Sequence, residues 1–343
     1  MNDRHDSPPS APGASPGWRE IHLHGSPEAE ETHFRDLADI VVDLQRTNKR
    51  ESGSTVSRRT FHAKIVVGVS NAELAFRTDL PEDLAAGDFT AGARLRATVR
   101  LSNASGVVGP DGHPDLRGAA LKISLPDGGD HDLLMTSYPV SHARDATQFV
   151  EIAEIGAGPK DQIQARMVAR FGPSETARIL DNLRQANRPS ASLALESYWS
   201  RGAVLWGETG PVRFRLSPAG TTGPAATPPM RAPDGLLADF AERLSTAPVR
   251  FTLHIQRYVS EQLTPIEDGA VEWMEDDSPW LHVATLTIPA QNILDRKGRA
   301  TRDHIDTLAF SPWHAPARLR PLGNLNRARR TVYRASAEEW HAR

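Results

Sequence analysis

Three features of this 343-residue sequence predict an α+β fold, an antiparallel β-sheet or barrel with helical insertions. Strand-like runs rich in β-branched and apolar residues recur along most of the chain, bounded by Gly, Asp and Pro. Segments with apolar residues at helical spacing interrupt them, so many strands must pair over long range. No internal repeat is present. Together these favour an antiparallel architecture over a doubly wound parallel sheet.

Residues 1–17 are rich in Pro, Ser and Gly with little to bury, and read as a disordered tail ahead of one domain, 18–343. His22, His24 and His33 follow at spacings that fit no closed metal shell. Leu37, Ile40, Val41 and Leu44 recur at helical spacing and predict an amphipathic helix over Phe34–Arg46. Strands are expected at Phe61–Ser70, Ala93–Ser102 and Ala119–Leu125, then helices at Gln162–Phe171 and Ser174–Ala186. Further strands are read at Pro211–Leu216, Arg250–Tyr258 and His282–Ile288, with a helix at Leu236–Leu244. Pro218–Asp234 has the Pro/Gly/Thr/Ala composition of a linker. From Asn326 to the end neither Gly nor Pro occurs, and good helix formers dominate.

Composition narrows the chemistry. With 39% apolar residues the chain can fill a sizeable core, and a net charge of −3 points to neither nucleic acid nor an anionic membrane. No window approaches a transmembrane span and no signal-type apolar region follows the N-terminus, so a cytoplasmic protein is expected. There is no cysteine. Disulfides, iron–sulfur clusters, thiolate zinc sites and cysteine nucleophiles are thereby excluded, as is a thiolate-ligated haem.

The last helix carries a chemically suggestive pair. Arg329 and Tyr333 are four residues apart, on one helix face, close enough for guanidinium to meet phenol oxygen. A cation hydrogen-bonded to a phenol favours the phenolate, and tyrosine is one of the few side chains that hold haem iron. A basic surface helix with a snorkelling Tyr is the alternative reading.

Upstream stretches change the balance. Arg59-Thr60-Phe61-His62-Ala63-Lys64 sets a His at the start of an expected strand, three residues after an Arg. Val99-Arg100-Leu101-Ser102-Asn103 and Arg117-Gly118-Ala119-Ala120-Leu121-Lys122 follow, then Asp132-Leu133-Leu134-Met135-Thr136-Ser137-Tyr138-Pro139 running on to Arg144-Asp145 and Phe149. Ala309-Phe310-Ser311-Pro312 leads into the Arg329/Tyr333 helix. In this order and spacing the stretches resemble the haem-dependent catalase superfamily, whose members carry R-x-x-H-A-K, R-F-S, R-G-x-A-x-K, D-L-x-G-N-N-x-P-x-x-x-x-R-D and R-x-x-x-Y. Each motif alone is weak; five in register, from Arg59 to Tyr333, are specific. The likeness is greatest to short bacterial catalase-like proteins, relatives of catalase-related allene oxide synthases.

The resemblance implies a catalase-like barrel binding one haem b inside, with peroxide and a small organic substrate as its small-molecule partners. It implies that His62 is the distal acid/base, that Ser102 fixes its tautomer, and that Arg59 and Arg100 pair with the haem propionates. Phe149 would pack over a pyrrole, Tyr333 would be the metal ligand, and Arg329 would keep it ionised. A core Phe and surface salt bridges are the plainer readings of Phe149 and of the two arginines.

Departures from the family pattern bear on activity. Thr136-Ser137 replaces an Asn pair, the first of which assists peroxide cleavage in the family; a lost transition-state hydrogen bond typically costs a hundredfold or more. Ser141 and His142 replace two aromatic residues, making the distal side more polar, with His142 either a second acid/base or solvent-facing. Phe61 stands where a smaller residue is usual. The family's Arg-Leu-Gly-x-Asn element and its C-terminal helical domain are not found after Tyr333, so no nicotinamide-nucleotide site is expected. Trp340 stands where a propionate-binding arginine would fall, leaving Arg343 or another base to substitute. The expected protein is a homodimeric haem-dependent peroxide-using oxidoreductase, an organic peroxidase or hydroperoxide-converting enzyme. A haem sensor or carrier without turnover, a weak true catalase, and a haem-free barrel binding a small molecule are the alternatives.

Overall fold

The computed structural model of the protein describes residues 17–51, 59–220 and 232–341. Most of the expected tail, most of the expected linker and Arg343 lie outside the described residues. Among the described residues nine strands form one antiparallel sheet: β1 (Ile65–Phe76), β2 (Arg94–Asn103), β3 (Arg117–Ser124), β4 (Asp130–Thr136), β5 (Tyr198–Trp199), β6 (Val204–Leu205), β7 (Pro211–Pro218), β8 (Val249–Arg257) and β9 (Leu281–Ile288). Their order is β5-β4-β3-β2-β1-β9-β8-β7-β6, and β5 also pairs with β7, which closes the sheet into a barrel and leaves β6 on its rim. Closure removes the open edges that a sheet of this size would otherwise expose.

Strand alternation decides what faces inward. Ala97, Val99 and Leu101 pair with Ile123, Leu121 and Ala119, and these in turn with His131, Leu133 and Met135. The apolar members join Leu74, Phe214, Phe251, Leu253, Ile255 and Leu286 in one core cluster that fills the barrel. Side chains one position along, including Arg100, Ser102 and Thr136, therefore project from the other face.

Helices α1 (Pro27–Glu51), α2 (Ala146–Gly156), α3 (Ile163–Phe171), α4 (Pro173–Ala186), α5 (Gly235–Thr246), α6 (Arg296–Thr307) and α7 (Asn324–His341) complete the chain. None among the described residues is long and apolar enough to cross a membrane. The α1 stripe Phe34, Leu37 and Val41 packs with Ala146 and Val150 of α2 and Ala328 of α7. Helix α6 lies against β1 because Gly68 has no side chain; a Cβ there would come within 2.9 Å of the Arg302 backbone. His22 and His33 are used locally, on Glu30 (2.9 Å) and Thr147 (2.8 Å).

A buried charge cluster locks α7 to α1. Arg327 donates to Glu30 (2.7 and 2.9 Å), to Glu267 (3.0 and 3.1 Å) and to Glu20 (3.0 Å), while Glu30 also accepts from Asn324 (3.1 Å). Burial alone would raise the Glu30 carboxyl, but Arg327 and the Leu23 N–H outweigh it and hold it down at about 2. Elsewhere, burial pushes His131 down to about 4 against the weaker pull of Asp132. Its ring stands edge-on to Phe89 at 5.3 Å and Nδ1 has no partner.

Both shifts lower a folded-state pKa, so both contribute stability at neutral pH that is lost on acidification. The His131 contribution falls away as pH drops from about 6.5 to about 4, and the Glu30 contribution from about 4.5 to about 2. The thermal midpoint of the protein is expected to begin falling already between pH 7 and 5, before carboxylates titrate. His131→Leu should flatten that upper portion; an unchanged slope in the variant would contradict the assignment.

Candidate active site

His62 does not lie in β1, as the sequence suggested, but three residues before it, in the left-handed region at φ 58°. Backbone bonds impose that geometry. The His62 N–H donates to the Ala104 carbonyl (2.8 Å), the Ala63 N–H to Ser105 (3.0 Å), and Arg100 donates to the His62 carbonyl (2.8 Å). The ring is thereby turned onto β2, where Nδ1 meets Ser102 Oγ at 3.1 Å. Nε2 has no partner among the described residues and is the nitrogen left for chemistry.

Register explains the floor beneath this ring. Ser102 pairs with Gly118, Gly118 with Thr136, and Thr136 with Trp199, forming one row across β2 to β5. Gly118 is the row's gap: a Cβ there would stand 2.4 Å from His62 Nδ1 and 2.7 Å from Ser102 Oγ. Gly118→Ala is expected to push the imidazole off Ser102 and cost about 1–3 kcal/mol by overpacking, read as a lower urea midpoint at unchanged m-value. A midpoint equal to the wild type's would show that the ring is not seated there.

The row belongs to the outer face of the barrel, because its neighbours Leu101, Ala119 and Met135 face the filled interior. The expectation of a ligand inside the barrel is therefore corrected. The interior is occupied by apolar side chains, and the site lies between the outer face of β2–β4 and the helices.

Helix α7 supplies the opposing wall. Arg329 donates to the Tyr333 hydroxyl at 2.8 Å and to Asn326 Oδ1 at 3.0 Å. Asn326, Arg329, Tyr333, Ser336 and Trp340 recur at spacings of three, four, three and four along one helix face. That face meets the His62 segment directly. Thr60 Oγ1 stands 3.3 Å from Ser336 Oγ, and the Trp340 ring lies 4.3 Å over the Arg59 guanidinium. The segment that carries His62 and the helix that carries Arg329 and Tyr333 are thus packed together, and the Arg329 charge bears on His62.

Electrostatics around His62 are strongly cationic. Burial, then Arg100, Arg201, Arg329 and Arg59, push His62 down to about 3, so its imidazole is a neutral proton acceptor at physiological pH. Arg59 (3.1 Å) and Arg100 (3.1 Å) converge on Asp306 of α6, and Arg59 also bonds the Leu308 carbonyl (2.6 Å). Arg100 is buried with its Nε unpartnered.

Aromatic rings line another side. Phe149 stands between Phe61 (5.6 Å, 84°) and His142 (5.0 Å, 33°), half-buried rather than in the deep core. Burial, then Arg201 and Arg178, push His142 down to about 3, so it adds a neutral aromatic surface. The Ser137 side chain leaves the row and accepts from the Arg117 N–H (2.9 Å), while the Thr136 hydroxyl reaches only the Tyr138 carbonyl at 3.5 Å.

Other motif residues are structural. Lys64 pairs with Asp111 (2.9 Å), and Arg117 holds Asn103 and the carbonyls of Asp111 and His113. Lys122 binds Asp132 (2.8 Å), which also accepts from the Ser311 N–H (2.9 Å) and so ties that loop to β4. Arg144 bridges Glu175 and Asp268. Two residues of the site escaped the sequence reading. Asp306 lies on α6, an element not expected, and Arg201 sits in a turn between two strands too short to recognise.

No protein-family model matches the chain. A catalase-related peroxidase from Mycolicibacterium paratuberculosis (strain ATCC BAA-968 / K-10) is 26% identical over 265 residues, covering 74% of this chain and 81% of the relative. The solved structure of a fungal catalase superposes on 99% of the chain and 68% of its own length with a TM-score of 0.66 at 17% identity. Catalase A from Saccharomyces cerevisiae gives 0.66 over 98% of the chain and 68% of its own length, at 14% identity. A bacterial catalase gives 0.62 over 98% and 67%, also at 14% identity. The chain has the fold of the catalases.

Within a catalase-type barrel the site's construction becomes legible. Ion-paired residues such as Lys64, Lys122 and Arg144 organise loops, Thr136 shares the row of Ser102 and Gly118, and Ser137 is committed to the backbone of β3.

Proposed function

We propose that this protein is a haem-dependent oxidoreductase that uses peroxides, favouring organic hydroperoxides over rapid disproportionation of hydrogen peroxide. The observation that carries the reading is the contact of α7, which bears the Arg329–Tyr333 pair, with the segment that seats His62 on Ser102.

The residues present suit haem. Tyr333 would hold the iron, supported by Arg329. Arg59 and Arg100 would take the propionates, the orphaned Arg100 Nε being completed by a carboxylate oxygen. Gly118, Phe61 and Phe149 leave flat apolar surface for a ring. Without cysteine no thioether link can form, and haem b is the group that the resemblance to catalases implies. Bound haem supplies the redox-active iron on which a peroxide O–O bond is cleaved.

The chain's own residues manage the protons. His62 Nε2, unprotonated while Nδ1–H donates to Ser102 Oγ, accepts the proton of the incoming peroxide and returns it to the departing oxygen. Ser102 Oγ accepts from Nδ1 in both states, so the ring keeps its orientation throughout. Thr136 supplies a shorter hydroxyl donor from the same row than an Asn amide would, which favours slower peroxide cleavage and tolerance of larger substrates.

The test is reconstitution with haemin, followed by absorption spectra on addition of hydrogen peroxide and then cumene hydroperoxide with an oxidisable dye. A Soret band that responds faster to cumene hydroperoxide is expected. Vigorous oxygen evolution from hydrogen peroxide alone would overturn the preference, and no response to any peroxide would favour a haem carrier.

A further inference from the structure

Helix α6 is fastened to the barrel at its carboxyl end by charge. Of its residues only Ile305 is buried, and its middle rests on β1 over the gap at Gly68. Asp306 stands next to last in the helix. Arg59 closes on that end: Nη1 donates to Asp306 Oδ1 (3.1 Å), and Nη2 donates to the carbonyls of Asp306 (3.0 Å) and Leu308 (2.6 Å). The last carbonyls of a helix have no partner within it, and a cation suits that end of the helix dipole. The Asp306 carboxylate is thereby fixed in place.

What Asp306 holds in turn is Arg100. Oδ1 accepts from Arg100 Nη2 at 3.1 Å, and the same Nη2 donates to the His62 carbonyl at 2.8 Å. Arg100 is buried, and Asp306 is its carboxylate partner among the described residues. A guanidinium taken this far from water stays with its counter-charge, because leaving it unpaired is costly. One oxygen shared by two guanidiniums therefore sets where Arg100 ends.

The His62 backbone is where this line of contacts arrives. At φ 58° His62 lies in the left-handed region, which disfavours side chains bearing a Cβ and persists only where the surroundings over-determine it. The peptide unit between His62 and Ala63 is gripped at both edges. Its N–H donates to the Ser105 carbonyl (3.0 Å), and its C=O accepts from Arg100 (2.8 Å). A peptide unit is planar, so holding both edges fixes the rotation of the chain just after His62. Turning that plane would carry the imidazole away from Ser102 Oγ, which it meets at 3.1 Å.

Fastening α6 would be a plainer role for Asp306. Arg59 already performs it through the helix carbonyls, whereas Arg100 divides one nitrogen between the carboxylate and the backbone of His62. We propose that Asp306 is a positioning residue for His62: it holds Arg100 against the His62 carbonyl, and so keeps the imidazole seated on Ser102 with Nε2 presented for proton transfer. The proton-transfer part of this assignment rests on the peroxide-using reading of the site; the positioning part does not. Asp306 lies 244 positions along the chain from His62 (306 − 62) and acts on it through Arg100 alone.

The test reads the His62 ring directly. Nitrogen-15 spectra of the imidazoles in the haem-free full-length chain separate a protonated ring nitrogen from a bare one, and the signals absent from His62→Gln belong to His62. Wild type should show one tautomer, protonated at Nδ1 and bare at Nε2. Asp306→Ala should move both signals toward the averaged values of an untethered histidine, and Asp306→Glu, which restores a carboxylate, should recover at least about half of that displacement. Ile305→Ala is the control: it removes the buried anchor of α6 and keeps Asp306, so it should lower the urea midpoint and leave the His62 signals in place. Signals unmoved in Asp306→Ala, not recovered in Asp306→Glu, or moved as far by Ile305→Ala overturn the assignment. Where Asp306→Ala does not fold, Asp306→Asn keeps the shape, removes the charge and is read by the same criteria. Loaded with haem, Asp306→Ala should react with cumene hydroperoxide about ten- to a hundredfold more slowly than wild type at an unchanged Soret band, since a misplacement of about 1 Å can cost that much. A rate within about threefold of wild type overturns the assignment, and so does loss of haem, which would make Asp306 a support for the propionate arginines. Should wild type take up no haem at all, the peroxide reading fails, and the nitrogen spectra still decide whether Asp306 holds His62.

Discussion

Tyr333→Phe is expected to lose iron. The change removes one oxygen from a half-buried ring whose hydroxyl accepts from Arg329 at 2.8 Å, and leaves Arg329 its second bond to Asn326. The fold should survive, because the locking of α7 to α1 is done by Arg327 and its three carboxylates one helix face away. Haem retention should fall by more than about a hundredfold, since outer-shell partners of a metal ligand alone are commonly worth 10–100-fold. Iron per chain after gel filtration, together with the position of the Soret band, measures this. Wild-type iron content and an unmoved band in the variant would end the case for Tyr333.

His62→Gln is the complementary experiment, expected to keep haem and lose reactivity. Glutamine retains polarity and much of the bulk beside Ser102 but cannot cycle a proton at neutral pH. A positioned general acid/base is typically worth 10²–10⁴-fold, and the bimolecular rate with cumene hydroperoxide should drop by that order. Wild type should moreover keep its rate as pH falls below 6.5. Burial and four arginines hold the folded imidazole down at about 3, so the unprotonated form persists where a free histidine would charge. Propionates paired with Arg59 and Arg100 would offset part of that shift, setting the midpoint between those limits. Stopped-flow rates across pH 4–8 report it, and a variant within about threefold of wild type would remove His62 from the reaction.

Much of the framework was readable because it follows from local periodicity. The strands β2, β3, β7, β8 and β9 and helices α3, α4 and α5 fall within a few residues of their expected bounds, since alternation or 3.6-residue spacing survives in their sequences. Helix α6, Arg296–Thr307, was not expected: it buries only Ile305 and so carries no apolar stripe, its start resting on the Asp295 cap and its place on the gap at Gly68. Helix α2 was hidden inside a stretch read for its motif, although Asp145 caps it through the Gln148 N–H at 2.8 Å. Strands β5 and β6 have two residues each, too few for any pattern, yet β5 closes the barrel.

By itself the sequence determined the chemistry on offer: an imidazole, a phenol one helical turn from a guanidinium, cations to spare and no thiol. These are matters of residue type and short spacing, which survive in one dimension. Only the tertiary structure decided that Ser102, Gly118 and Thr136 form one row under His62, that this row faces outward, and that Asp306 and Arg201 join it. Strand register and the docking of helices bring together residues as far apart in the chain as Thr60 and Ser336, 276 positions from each other. No local pattern records such a meeting, because the energy that enforces it comes from burying surfaces that become neighbours only when the barrel closes.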